Sequence, residues 1–160
     1  MLERLRPIAL GEVPLADLLS AMVAEFAEQD SAPVIRFAPP QLDWSYGDCV
    51  DLTAYRCLQE GLTNVIRHAR AAVVELSVSE ETSPRGTAGK GLRIVVRDDG
   101  AGIGPGVRLG MGLTGMKERI EALGGAFSIS AGVSGGTSLE IALPGQDMKT
   151  PGRGGAQGRQ

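Results

Sequence analysis

Histidine occurs once in the 160 residues and cysteine twice, which leaves neither a histidine-built metal centre nor a disulfide framework. Cys49 and Cys57 have neither the C-x-x-C spacing nor that of a zinc site, so both are expected to stay reduced. Basic residues are not in excess: 16 Lys and Arg against 19 Asp and Glu give a net charge of -3. A chain without a basic footprint is not expected to bind nucleic acid. Long hydrophobic runs are missing too, and none approaches the roughly 20 apolar residues of a membrane span. The first residues, MLERLRPIAL, lack the apolar stretch and cleavage pattern of a secretory signal. The expectation is a cytoplasmic chain that makes no membrane contact.

What the chain has in quantity is glycine, 23 residues gathered mainly at 100–115, at 124–136 and in the C-terminal tail. A composition of 42% hydrophobic and 22% charged residues is otherwise that of a soluble domain with a moderate core. Residues 13–29 place Leu15, Leu18, Leu19, Met22, Val23 and Phe26 at helical spacing. VIRF (34–37) reads as a short strand, and Pro39 and Pro40 begin a connector. Asp48 is the expected N-cap of a long helix, about 49–69, with the apolar stripe Leu58, Leu62, Val65, Ala69.

AVVELSVS (72–79) and GLRIVVR (91–97) alternate apolar and polar residues and read as a hairpin across the polar loop 81–91. A helix at about 111–123, stopped by Gly124 and Gly125, precedes a second hairpin, AFSIS (126–130) and SLEIAL (138–143). Alternating strands bury one face and wet the other. Helices therefore cover one side only. The expected architecture is an α/β two-layer sandwich with a mixed, largely antiparallel sheet and helices on one face. The tail, 145–160, has little apolar content and is expected to be disordered.

Three stretches have the composition for chemistry. On the long helix Glu60, Asn64 and His68 are spaced by four and share a face. That pattern suits a solvated surface. It equally suits Mg²⁺, which takes hard oxygen donors from few protein groups and completes its shell with phosphates and waters. Gly61, mid-helix, implies a close packing neighbour. In DDGAGIG (98–104) an acid runs into alternating glycines. The segment is either a turn or a ligand loop in which the carboxylate, unsuited to phosphate, accepts a hydrogen bond from an exocyclic amine such as that of adenine. RLGMGLTGMKER (108–119) opens a helix with Gly110, Gly112 and Gly115. Either the helix start is tightly packed, or its free N–H groups receive an anion.

The order of these stretches is more specific than any one of them. E-x3-N on a helix, then DxGxG, GxGLxGM and GGT resemble the ATP-binding (Bergerat) fold of the GHKL superfamily. "QEGLTNVIRHARA", "VRDDGAGI", "GMGLTGMKERIEALGG" and "GGTSLEIALP" resemble the nucleotide domain of bacterial sensor histidine kinases, in the subgroup of nitrate- and membrane-fluidity-sensing kinases. The resemblance covers roughly residues 45–144. It implies ATP and Mg²⁺ as cofactors, with Asn64 as metal ligand and Glu60 as a metal-site or polarising group. Arg67 would touch phosphate and His68 would lie beside the nucleotide. Asp98 would receive the adenine amine. Gly100, Gly102 and Ile103 would form the loop under the base, ahead of a short lid at about 103–109. Gly110, Gly112 and Leu113 would flank the phosphates, and Thr137 would support adenine.

The implied organisation is an N-terminal helix region (1–30) joined to a missing dimerisation segment, the ATP-binding domain (31–144) and the tail. The implied partners are a histidine-bearing dimerisation domain, in cis or in trans, and a response regulator. His68 falls within the helix motif and is not expected to be the phosphoacceptor. Two other readings share the fold: an anti-sigma-type serine kinase, and a non-catalytic ATP-dependent interaction module.

Overall fold

The computed structural model describes residues 9–82, 89–102 and 110–146. The expectations for Ile103, for the lid, for the N-terminal junction before residue 9 and for the tail beyond residue 146 lie outside these residues. Helix α1 (Leu15–Ala27) and strand β1 (Val34–Phe37) come first. Helix α2 (Asp48–Asn64) runs on without a break into a π-helical segment, Val65–Ala69. Strands β2 (Val73–Thr82) and β3 (Lys90–Asp98), helix α3 (Met111–Ala122), and strands β4 (Ala126–Ala131) and β5 (Thr137–Leu143) complete the order.

The sheet order is β1-β2-β3-β5-β4. β1 joins β2 in parallel, and the other pairs are antiparallel. Both expected hairpins form. β5 lies between β3 and β4, so the chain crosses over through α3 before closing the sheet. Alternation decides what each face meets. Val74, Leu76, Val78, Leu92, Ile94, Val96, Leu139, Ile141 and Leu143 point into one core together with Leu58 and Leu62 of α2 and Ile120 of α3. Leu15, Leu19, Met22 and Val23 of α1 join the same core. The opposite face is wet and carries exposed ion pairs such as Arg36–Glu75 and Arg93–Glu140. The result is the two-layer sandwich with helices on one face.

The start of α2 differs from the expectation. Asp48 is the first helical residue, and the N-cap is Gly47 at φ 104°, a left-handed-side conformation that glycine alone adopts without strain. No side-chain cap bond is made at Gly47; Asp51, buried one turn on, ties the helix to the chain before it. Its carboxylate reaches back to accept the Tyr46 N–H at 2.9 Å and the Ser45 hydroxyl. Burial pushes the Asp51 carboxyl up from its ordinary pKa. Gly145 and Gln146, the first residues of the expected tail, are held in place, since the Gln146 N–H donates to the Tyr46 carbonyl at 2.9 Å.

Candidate functional site

The ends of β3 and β5, the second half of α2 and the start of α3 enclose a cavity of about 330 Å³. Strand parity brings Asp98 there. It follows Leu92, Ile94 and Val96 on the core face of β3, where the apolar row ends and a polar residue remains. Thr137 is its direct partner across the β3–β5 ladder, so an acid and a hydroxyl stand side by side at the cavity wall. Asp98 Oδ1 accepts the Gly100 N–H at 2.8 Å. That bond turns the chain sharply and leaves the second carboxylate oxygen for another partner.

The neighbouring acid does something else. Asp99 Oδ1 accepts the N–H groups of Ala72 and Val73 at 2.8 and 2.9 Å, clamping the start of β2. These backbone donors hold the Asp99 carboxyl below its ordinary pKa. The two acids of DDGAGIG thus divide the work, one to the cavity and one to the backbone.

The opposite wall comes from α2. Asn64 lines the cavity with its Nδ2 buried and without a hydrogen-bond partner. A buried unpaired amide costs about 1–3 kcal/mol, and such a cost persists in folded proteins where function needs the group. Beyond Asn64 the helix widens into the π segment, a feature frequent at functional sites. A π turn takes more residues per revolution. Position i+3 from Asn64 therefore leaves the cavity face, while i+4 and i+5 share it. His68 and Ala69 line the cavity accordingly. Arg67 is exposed and is not among the lining residues.

Glycines hold the walls at their separation. The Ala101 N–H donates to the Ala69 carbonyl at 2.7 Å, and a Cβ on Gly100 would overlap that same carbonyl. Gly100 therefore acts from behind, tying the loop to α2. A Cβ on Gly136 would strike the Asp98 carbonyl, and a Cβ on Gly112 would overlap the Glu60 carboxylate. Glu60 is thus packed at the first turn of α3, beside the lining residues Gly110, Gly112 and Leu113. Gly61 lies against Val96, whose Cγ2 is 3.3 Å from where a Cβ would be. This is the close neighbour that its place in mid-helix implied.

The apolar lining, Val65, Val96, Ile129 and Leu139, was not singled out in the sequence. Those residues carry only the signal of core positions. Among the described residues no three His, Cys, Asp or Glu side chains are placed to hold a metal ion. The donor set available is the Asn64 amide, with Glu60 one turn away. It fits a cation that takes most of its ligands from phosphates and water. It does not fit one that needs a protein cage.

Residues 49–147 match the family of histidine kinase-, DNA gyrase B- and HSP90-like ATPases. The chain belongs to this family. It is 35% identical over 150 residues to the signal transduction histidine-protein kinase/phosphatase UhpB of Salmonella typhimurium, covering 90% of this chain and 27% of that protein. It is 42% identical over 95 residues to the sensor histidine kinase YxjM of Bacillus subtilis, covering 59% of this chain and 21% of that protein. The chain thus spans about a quarter of the length of these relatives. Among solved structures, the ATP binding domain of PrrB from Mycobacterium tuberculosis superposes with a TM-score of 0.60 at 22% identity, over 84% of this chain and 96% of that one. The blue-light activated histidine kinase EL346 of Erythrobacter litoralis superposes with a TM-score of 0.58 at 26% identity, over 82% of this chain and 42% of that one. No helix among the described residues is long and apolar enough to cross a membrane.

Proposed function

We propose that this member of the ATPase family is the ATP-binding catalytic module of a sensor histidine kinase, working in the cytoplasm. It holds Mg·ATP and presents the γ-phosphate to a histidine on a dimerisation segment, in cis or in trans, from which a response regulator is served. The observation that carries the reading is the pairing of Asp98 with Thr137 on one cavity wall, across from the unpartnered amide of Asn64.

Each group has a task its chemistry suits. Because the Gly100 N–H occupies one oxygen of Asp98, the other accepts the exocyclic amine of adenine. A guanine would present a carbonyl at that edge, setting lone pairs against a carboxylate. Thr137 adds a hydroxyl that both donates and accepts. The apolar lining excludes water from the faces of the base. The first turn of α3 has N–H groups free for phosphate, and its glycines permit close approach. Asn64 would be the protein ligand of Mg²⁺, with Glu60 near it. When bound, Mg²⁺ supplies positive charge to the phosphate oxygens, whose neutralisation and positioning are most of the catalysis in phosphoryl transfer.

Calorimetric titration of ATP with and without Mg²⁺ tests this reading. Wild type is expected to bind ATP with Mg²⁺-enhanced affinity, and Asn64→Ala to keep the Mg²⁺-free affinity while losing the enhancement. A wild type that binds no ATP at any Mg²⁺ concentration overturns it.

A further inference from the structure

The π turn that carries the His68–Ala69 wall ends on a strained residue. Arg70 closes it at φ 49° and ψ 38°, a left-handed conformation that is costly for any residue with a side chain. A π turn and a left-handed arginine are both uncommon, and such backbone persists where its surroundings over-determine it. Here the loop after β3 does so. The Ala101 N–H donates to the Ala69 carbonyl at 2.7 Å, and the Asp99 N–H to the Val73 carbonyl at 3.3 Å. Between these backbone bonds, Asp99 Oδ1 accepts the N–H groups of Ala72 and Val73 at 2.8 and 2.9 Å. From the other side, the Ala72 carbonyl accepts the Val34 N–H at 2.9 Å. Arg70 is thus bracketed by residues pinned before and after it.

We propose that Asp99 is a positioning residue of the nucleotide cavity: its carboxylate holds Arg70 left-handed and so keeps the π turn from relaxing into an α-helix. Asp99 is not among the lining residues, and it acts through the backbone it grips. On an α-helical path, Ala69 would leave the face of Asn64 and Arg67 would approach it. The Ala69 carbonyl would move as well, and with it the loop that carries Asp98. Asp99 thereby ties the Asn64 wall of the cavity to the Asp98 wall. Charge is not what this task requires. It requires one acceptor at one place, because both N–H groups converge on Oδ1. The consequence for ATP rests on the function proposed above, whereas the hold on the turn does not.

Three variants separate geometry from charge. Asp99→Asn keeps Oδ1 as an acceptor and drops the charge. Asp99→Glu keeps the charge and carries it one methylene further. Asp99→Ala removes both. A positive φ shortens the N–H to Hα distance within a residue, so the Overhauser enhancement inside Arg70 reads the turn in the ATP-free full chain. It is expected to be strong in wild type and Asp99→Asn, and to weaken in Asp99→Ala and Asp99→Glu. Calorimetry is expected to find the Kd for ATP raised about tenfold in the latter two and within about twofold of wild type in Asp99→Asn. An Arg70 enhancement that stays strong in both Asp99→Ala and Asp99→Glu overturns the proposal. So does a wild-type Kd in those two variants. Loss in Asp99→Asn with retention in Asp99→Glu assigns the effect to charge and overturns it too. A wild type that binds no ATP overturns the proposed function alone, and the Arg70 enhancement still decides this proposal. Should Asp99→Ala fail to fold, as read by far-ultraviolet circular dichroism, Asp99→Glu against Asp99→Asn carries the test.

Discussion

Asp98 and Thr137 stand directly opposite each other in the β3–β5 register, both lining the same cavity. The Gly100 N–H already engages Asp98 Oδ1 at 2.8 Å, so the carboxylate has one oxygen left to read a base. In Asp98→Asn the amide oxygen must serve Gly100, which turns the NH₂ group toward the adenine amine, donor against donor. The variant is expected to weaken ATP binding by about 2–3 kcal/mol, roughly 30- to 150-fold in Kd. Inosine triphosphate, with a carbonyl at that position, is expected to gain relative to ATP. Calorimetry with both nucleotides checks this. An unchanged ratio places the base elsewhere.

Two glycines at the site predict opposite outcomes for the same substitution. A Cβ at Gly112 meets the far end of a flexible side chain, the Glu60 carboxylate, whereas a Cβ at Gly136 meets the Asp98 backbone at a φ of +75°. Gly112→Ala is expected to leave the thermal midpoint nearly unchanged and to weaken ATP binding at least about tenfold, by displacing Glu60 from the helix start. Gly136→Ala is expected to destabilise the fold by at least about 2 kcal/mol. Thermal melts and nucleotide titrations separate the two.

Asp99 gives a pH dependence of defined sign. Its folded carboxyl lies below its ordinary pKa because the Val73 and Ala72 N–H groups donate to it. The stabilisation is therefore complete above the unfolded value of about 3.9 and is lost as pH falls through the folded one. The amide resonances of Ala72 and Val73 are expected to titrate together at that lower pH, and Asp99→Ala to speed their hydrogen exchange at neutral pH. Slow, unchanged exchange in the variant means that the clamp does not hold β2.

The cysteines differ in reactivity. Cys57 is buried, and burial pushes its thiol up to about 12, whereas Cys49 is exposed. The thiolate is the reactive form, so an aromatic disulfide reagent at pH 8 is expected to modify Cys49 alone in the folded chain. Both thiols are expected to react after denaturation. Prompt reaction of Cys57 in the folded chain contradicts its burial in the core.

Much of this protein was legible in its residues. The alternation of Val74, Leu76 and Val78 against Glu75 and Ser77 specifies a strand with one wet face. The step-of-four run Leu58, Leu62 specifies a helix packed on the same sheet. Together they determine the two-layer sandwich, because a residue's parity or turn decides its face wherever the hydrophobic pattern is strong. The motif order likewise points to Asn64, Asp98, Gly112 and Thr137, which the fold collects around one cavity.

Other features are decided by tertiary contacts alone. Parity separates Asp98 from Asp99, but nothing local tells what Asp99 meets. They part company because strand parity sends one into the cavity while the start of β2 offers two backbone donors to the other. Arg67 turns away from the face of Asn64 while His68 and Ala69 stay on it, because the helix widens into a π turn after Asn64. The N-cap of α2 is Gly47 and not Asp48, and the buried Asp51 carboxylate reaches back to the Tyr46 N–H ahead of it. In each case the local code allowed two placements. The choice fell to the backbone groups and helix geometry that each residue meets, which exist only once the chain has closed on itself.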